Sequence, residues 1–321
     1  MVFGNGIIKP SGMAGGLIES SDGSVPSYFL DDFSSVNWLV NVGLRQLSSS
    51  GGNLIRVQET GGSTQQDFGA VAGNLDTAGI DTFIGANDGQ IVSVYEQGGG
   101  TDKFYQGTLA QRPLVGESGT VVELTNNGKT RPFFKFDSSD DDLRYSNSGG
   151  TEISPLSTAM TAFSAVWVAA PVVAVTTNQA GLWDGHFGLA SSSSARVYAI
   201  YGGTNTAHRT TAFARGTGGS AGSVIGDTTN VMAGEAHVYS IIWTTSAFNF
   251  YIDGVSVANS TTMGNPSALS TSALLRLGVR FGTSFTDNGN IYMGEYHMAD
   301  GDISGNLAAI VADLKAYWGT P

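Results

Sequence analysis

The feature that most constrains this chain is its punctuation. From about residue 160 onward, short β-rich runs alternate with clusters of turn-forming residues. Strands are predicted at 163–168, 196–201, 208–215, 237–243, 248–257, 274–281 and 291–298. The 248–257 run carries Asp253-Gly254 at its middle, the dipeptide that most favours a two-residue hairpin turn, because both turn positions need φ > 0. Glycine supplies 45 of 321 residues, about twice its usual ~7% share, and has no three-residue period. That glycine therefore serves turns and not a collagen-like helix. Many short strands at this spacing predict an all-β sandwich or jelly roll.

The first half is more mixed. Phe33 to Leu47 is predicted as a short helix, and Asp76 as the cap of a helix carrying Ile80, Phe83 and Ile84 on one face. Strands are predicted at 53–58, 90–95 and 131–136. After Asp302, Leu307, Ile310, Val311, Leu314 and Tyr317 recur at helical spacing, with Ser304 as the expected N-cap and Gly319 just past the end. No repeat and no linker divides 30–321, so it is read as one sandwich domain. Residues 1–29 are rich in Gly and Ser, yet hold Phe3, Ile7, Ile8 and Leu17, too much apolar surface for a solvated tail. They are read as an N-terminal arm that docks onto another subunit.

Several classes are excluded. No stretch of ~18 apolar residues is present to span a membrane as a helix. The absence of cysteine removes disulfide scaffolds and thiolate metal sites. A net charge of −12 argues against nucleic acid as a partner. No apolar core of a secretion signal follows Lys9.

The stretch from Leu44 to Tyr145 carries an ordered set of short pieces. These are Leu44-Arg45-Gln46-Leu47, Ile55-Arg56-Val57, Gln66-Asp67-Phe68-Gly69, Asn74-Leu75-Asp76-Thr77-Ala78, Val94-Tyr95-Glu96-Gln97-Gly98, Gln111-Arg112-Pro113, and Phe136-Asp137 leading to Asp142-Leu143. Their order resembles the catalytic module of fungal alpha-L-arabinofuranosidase B and its relatives in bacteriophage virion proteins. The later Tyr251-Ile252-Asp253-Gly254 resembles the strand-turn element of laminin-G-like and pentraxin-like lectin domains. The resemblance implies a concanavalin A-like β-sandwich over most of 30–321, with a short C-terminal helix. Two departures matter. The family pattern Tyr-Asp-Gln-Ser-Gly-Asn-Gly is here Tyr95-Glu96-Gln97-Gly98-Gly99-Gly100, and the enzyme's paired cysteines are missing. The enzyme's nucleophile and acid match no motif here and are not carried over.

Glycoside hydrolysis needs two carboxylates facing across the sugar. Glu96, Asp184, Glu235 and Glu295 are candidates, but no spacing pairs them, and Glu295 fits a strand residue on the solvent face. Trp183-Asp184-Gly185-His186, with Asn178 just before, joins an aromatic ring to polar groups in a predicted loop, as a sugar site requires; it equally fits a core tryptophan beside a turn. Trp183, Asp184, His186 and Asn178 are the expected glycan contacts. Asp137, Asp140 and Asp142 lie in an acidic stretch that could supply oxygen ligands to calcium, although the spacing is not that of an EF-hand and also fits a solvated turn. No other cofactor is expected. His186, His208, His237 and His297 show no zinc-binding spacing.

The reading that follows is a non-enzymatic bacteriophage tail or fibre protein, assembled in the host cytoplasm, that oligomerises, as a trimer, and binds surface polysaccharide. Its partners are other virion proteins and copies of itself, with no nucleic acid and no membrane insertion. One alternative is a capsid decoration or cement protein without a glycan role. The other is an arabinofuranosidase-like hydrolase.

Overall fold

The computed structural model describes residues 27–137, 140–172, 184–192, 195–201, 210–216, 222–226, 233–281 and 285–321. Two antiparallel sheets dominate it. One runs Trp38–Gly43, Ile291–Asp300, Phe163–Pro171, His237–Trp243, Phe248–Ile252, Val255–Ser260 in spatial order. The other begins Gln65–Val71, Asn53–Glu59, Gly89–Tyr95, Lys103–Tyr105, Leu143–Ser146. It continues through Leu274–Leu277, Asp184–Ser192, Ala195–Tyr201, Thr210–Arg215 and Gly222–Gly226. The short strands Leu114–Glu117 and Phe134–Lys135 link the two, the former pairing with Gly89–Tyr95 and the latter with Ile291–Asp300.

The sheets pack face to face through aromatic rings. Trp167 and Tyr296 from the first sheet meet Phe187 of the second at 5.0 and 5.3 Å, in edge-on and tilted geometries that ring quadrupoles favour. Trp167 and Trp243 are wholly buried. The predicted hairpin turn is present, with Asp253 at φ 51° and Gly254 at φ 83°. The helix Thr77–Ile84 begins at Asp76, whose Oδ1 accepts from the Gly79 N–H at 2.9 Å. The helix Leu307–Trp318 ends at Gly319 in the left-handed conformation (φ 70°).

Three expectations are corrected. Phe33–Leu47 is not a helix: helical turns occupy only Phe29–Asp32, and Trp38–Gly43 is a strand paired with Ile291–Asp300. That strand is buried on both faces from Val40 to Gly43, so its residues lack the alternation that would mark it. The N-cap of the last helix is Asn306, not Ser304, and no side chain caps it. Asp184 to His186 open a strand rather than a loop.

Covering the outer face of the first sheet explains the rest. The strand Ile291–Asp300 points Tyr296 inward and Glu295 and His297 outward. Outward is not toward water here. Phe29 stacks on His297 at 4.0 Å, and Trp318 of the last helix lies against Gly294, where any side chain would overlap the indole. A second, smaller buried layer therefore lies behind the sandwich.

Candidate functional site

That layer holds charge. Arg45 grips the wholly buried Glu295 with two hydrogen bonds of 2.9 and 3.0 Å and reaches Asp313 at 2.5 Å. Trp318 Nε1 donates to Glu295 Oε2 at 2.8 Å, and His297 Nε2 lies 2.6 Å from Oε1. Burial alone would raise the Glu295 carboxyl; the Arg45 charge, with the His297 hydrogen bond, outweighs it and holds the group down at about 2. Gly43, directly opposite Glu295 in register, leaves room for its stem. Glu295 does lie on a strand, but the expectation that it faces solvent is thus wrong.

This network leads to a cleft. His297 Nδ1 lies 2.9 Å from Asn41 Oδ1, and Asn41 Nδ2 makes a long 3.5 Å contact to Glu96 Oε1. Glu96 lines a cleft of about 500 Å³ between the 30–41 segment and the 96–102 loop. Trp38, Asn41, Asp102 and Tyr145 also line it. Glu96 folds back over its own glycines, accepting from Gly98 N–H at 2.7 Å and Gly100 N–H at 3.1 Å. A Cβ at residue 98 would come within 2.7 Å of Glu96 Oε1 and press on Asn41 Nδ2, so a side chain there would shift the Glu96 carboxylate. Gln97 stitches the loop to the first sheet, donating to the Gly43 and Arg45 carbonyls and accepting from Leu47 N–H. Tyr145 donates to Asp102 Oδ2 at 3.2 Å, and burial, then the Asp102 and Glu96 charges, raise its hydroxyl well above the usual tyrosine range. An indole, two carboxylates, amides and a phenol thus converge on one concavity, with no Lys or Arg among the described residues that line it.

The sequence-predicted glycan contacts are not brought there. His186 is wholly buried, accepts from Trp167 Nε1 at 2.9 Å, and is pushed down to about 3 by burial, so it is a neutral core residue and not a sugar ligand. Asp184 starts a strand opposite Tyr201. Trp183 and Asn178 lie outside the described residues, as do the arm residues Phe3, Ile7, Ile8 and Leu17. Of the acidic stretch, Asp137, Asp140 and Asp141 bring carboxylate oxygens within 4.8 Å of one another. Asp142 does not join them. It is buried with Arg144 at 2.9 Å and Arg276 at 3.2 Å, and also accepts from Gln106. Burial and the neighbouring Asp137 charge push Asp141 up to about 7. Asp141 therefore replaces Asp142 in the group that could hold a hard cation. Trp38, Asn41 and Asp102 were missed in the sequence, where only Glu96 stood out.

Comparison with known proteins agrees on the fold. The model of glycosyl hydrolases family 16 matches residues 197–272. The chain superposes on a mutant GH54 α-L-arabinofuranosidase soaked with 4-nitrophenyl α-L-arabinofuranoside with TM-score 0.63 and 16% identity. That match covers 89% of this chain and 64% of the other. An arabinofuranosidase complexed with arabinofuranosyl-α-1,2-xylobiose gives TM-score 0.61 and 15% identity, again covering 89% and 64%. The chain thus spans less than two thirds of the length of these arabinofuranosidases. No curated protein matches it in sequence. The fold is a concanavalin A-like β-sandwich, of the kind that carbohydrate-binding and glycosidase domains use.

Proposed function

We propose that this protein is a non-enzymatic carbohydrate-binding component of a bacteriophage tail or fibre, and that the cleft at Trp38, Glu96, Asp102 and Tyr145 is its glycan site. The observation that carries this reading is the convergence of an indole beside acceptor-rich polar groups in one concavity, the combination that lets a pyranose or furanose ring stack while its hydroxyls are bonded. This moves the site away from the Trp183 loop. The virion assignment rests on the resemblance of the 44–145 motifs, with copies of the chain giving avidity and the arm docking to other virion proteins.

A second reading has one observation in its favour. Two carboxylates, Glu96 and Asp102, share the cleft, as a glycoside hydrolase would require. Against it, Glu96 is occupied by two backbone N–H groups and Asp102 by the Tyr145 hydroxyl. A glycan array followed by NMR titration tests the leading reading. Binding should shift cleft residues and fall at least about tenfold in Trp38→Ala, the loss of roughly one stacking contact. An array negative for every glycan sinks it and favours the cement alternative. Hydrolysis of 4-nitrophenyl α-L-arabinofuranoside that disappears in both Glu96→Gln and Asp102→Asn would establish the enzyme instead.

A further inference from the structure

His297 has a hydrogen-bond problem with one good solution. Its Nε2 faces Glu295 Oε1 at 2.6 Å, and an ionised carboxylate can only accept, so Nε2 carries a proton. Its Nδ1 faces the side-chain amide of Asn41 at 2.9 Å. If Nδ1 is bare, the amide must turn its NH2 toward the ring, which leaves Asn41 Oδ1 facing Glu96 Oε1 at about the 3.5 Å now spanned by Nδ2. Two acceptors would then oppose each other with no proton between them. Glu96 Oε1 cannot swing away without releasing the Gly98 N–H. If Nδ1 is protonated, every group is satisfied: the ring donates to Asn41 Oδ1, and Asn41 Nδ2 donates to Glu96.

The charges agree. The groups facing this ring from the packed elements are Glu295 on its own strand, Asn41 on the neighbouring strand, and Arg45 and Asp313 behind Glu295. Phe29 covers one face of the ring, and Trp38 lies 5.5 Å off. With a neutral imidazole the cluster of Arg45, Glu295 and Asp313 is left with one excess negative charge, mostly out of water. With an imidazolium it is balanced, the condition under which buried ions persist.

We propose that His297 is held as an imidazolium whose Nδ1–H fixes the Asn41 amide, so that Asn41 presents its NH2 to the cleft carboxylate Glu96. His297 and Asn41 are then positioning residues: neither needs to touch a ligand, and together they set which way the cleft's Glu96 faces. This concerns the geometry of the cleft and holds whatever ligand enters it.

Ring-nitrogen NMR on the full chain at pH 7 tests it. Both nitrogens of His297 should give protonated-type signals, assigned by their loss in His297→Gln. Should that variant fail to fold, single Gln variants of His186, His208 and His237 assign His297 by elimination. A pattern of one protonated and one bare nitrogen overturns the proposal. The link to the cleft is read from amide hydrogen exchange at Gly98. Asn41→Leu should speed it about tenfold by freeing Glu96. Asn41→Asp keeps an acceptor for His297, so the imidazolium signals persist, but opposes Glu96 with a second carboxylate and should speed Gly98 exchange as much or more. Unchanged Gly98 exchange in both variants defeats the positioning role. No sugar is needed in any arm, so a failed glycan titration and a failed positioning test are separate outcomes.

Discussion

Glu295 shows how one residue's chemistry is decided by partners far away in sequence. Its carboxylate is ionised in a dry layer because Arg45, 250 positions earlier, brings two donors and a charge. The folded-state value near 2 lies below the ordinary 4.5, so the native state binds fewer protons than the unfolded chain between those values. Stability from this pair is therefore full above about pH 4.5 and is lost as pH falls toward 2, by ~3 kcal/mol. Arg45→Met should weaken that dependence. Burial is then opposed only by His297 and the Trp318 donor, so the Glu295 carboxyl rises and the acid loss shrinks. At pH 7 it should lose about 3–5 kcal/mol, the cost of stranding one partner of a buried pair. Urea denaturation of both proteins at pH 3 and pH 7 measures this; His186, neutral in the core of each, contributes the same acid loss to both and cancels. A variant that loses as much stability with acid as the parent would show that Arg45 is not what holds Glu295 ionised. None of this was legible in the sequence. Gly294-Glu295-Tyr296 announces a strand and a face, but only the fold reveals that the last helix and Phe29 cover that face.

Single elements were legible where their constraint is local. Asp253-Gly254 gave its turn away because two successive positive φ angles admit few residues, and Asp76 because a carboxylate cap acts three residues along. The Trp38–Gly43 strand was not, since burial on both faces erases its period. The His186 strand was misread for a related reason: Gly185, beside Trp183 and Asp184, looks like a turn until its pairing is seen. The last helix was predicted from its spacing, but what it does was not. It seats Trp318 over Gly294 and carries Asp313 to Arg45. A Cβ at residue 294 would come within 2.4 Å of the Trp318 ring. Gly294→Val should therefore displace the helix rather than merely strain the strand, and Trp318→Ala should cost about 3–5 kcal/mol through the cavity and the lost donor to Glu295. Hydrogen exchange separates the two variants. In Gly294→Val the helix amides from 310 to 318 should lose protection while the Phe163–Pro171 strand keeps its own. Retained protection along 310–318 would show that the indole can find another seat.

At the scale of the whole molecule, the Trp38–Glu96 cleft among the described residues is open and acidic, so a single copy should bind weakly. On the proposed reading as a virion adhesin, function depends on copy number. Linking identical sites raises apparent affinity by about 10²–10⁴ without any new contact, provided the copies face one surface. Residues 1–29 are the segment to which we assign that assembly, on the strength of Phe3, Ile7, Ile8 and Leu17 in an otherwise Gly- and Ser-rich stretch. The prediction separates site from assembly. A chain lacking 1–26, which keeps the Phe29 that stacks on His297, should keep the glycan affinity of one cleft, measured by NMR titration, because the cleft is lined by residues 30–155. It should lose the avidity of the full chain on glycan-coated surfaces, and light scattering should show a smaller assembly, trimer giving way to monomer. Trp38→Ala in the full chain should do the reverse, leaving the assembly intact and abolishing surface binding. If the shortened chain assembles and adheres as the full chain does, the sheets themselves form the oligomer, and the exposed Val255 at the outer edge strand is the place to look for the contact.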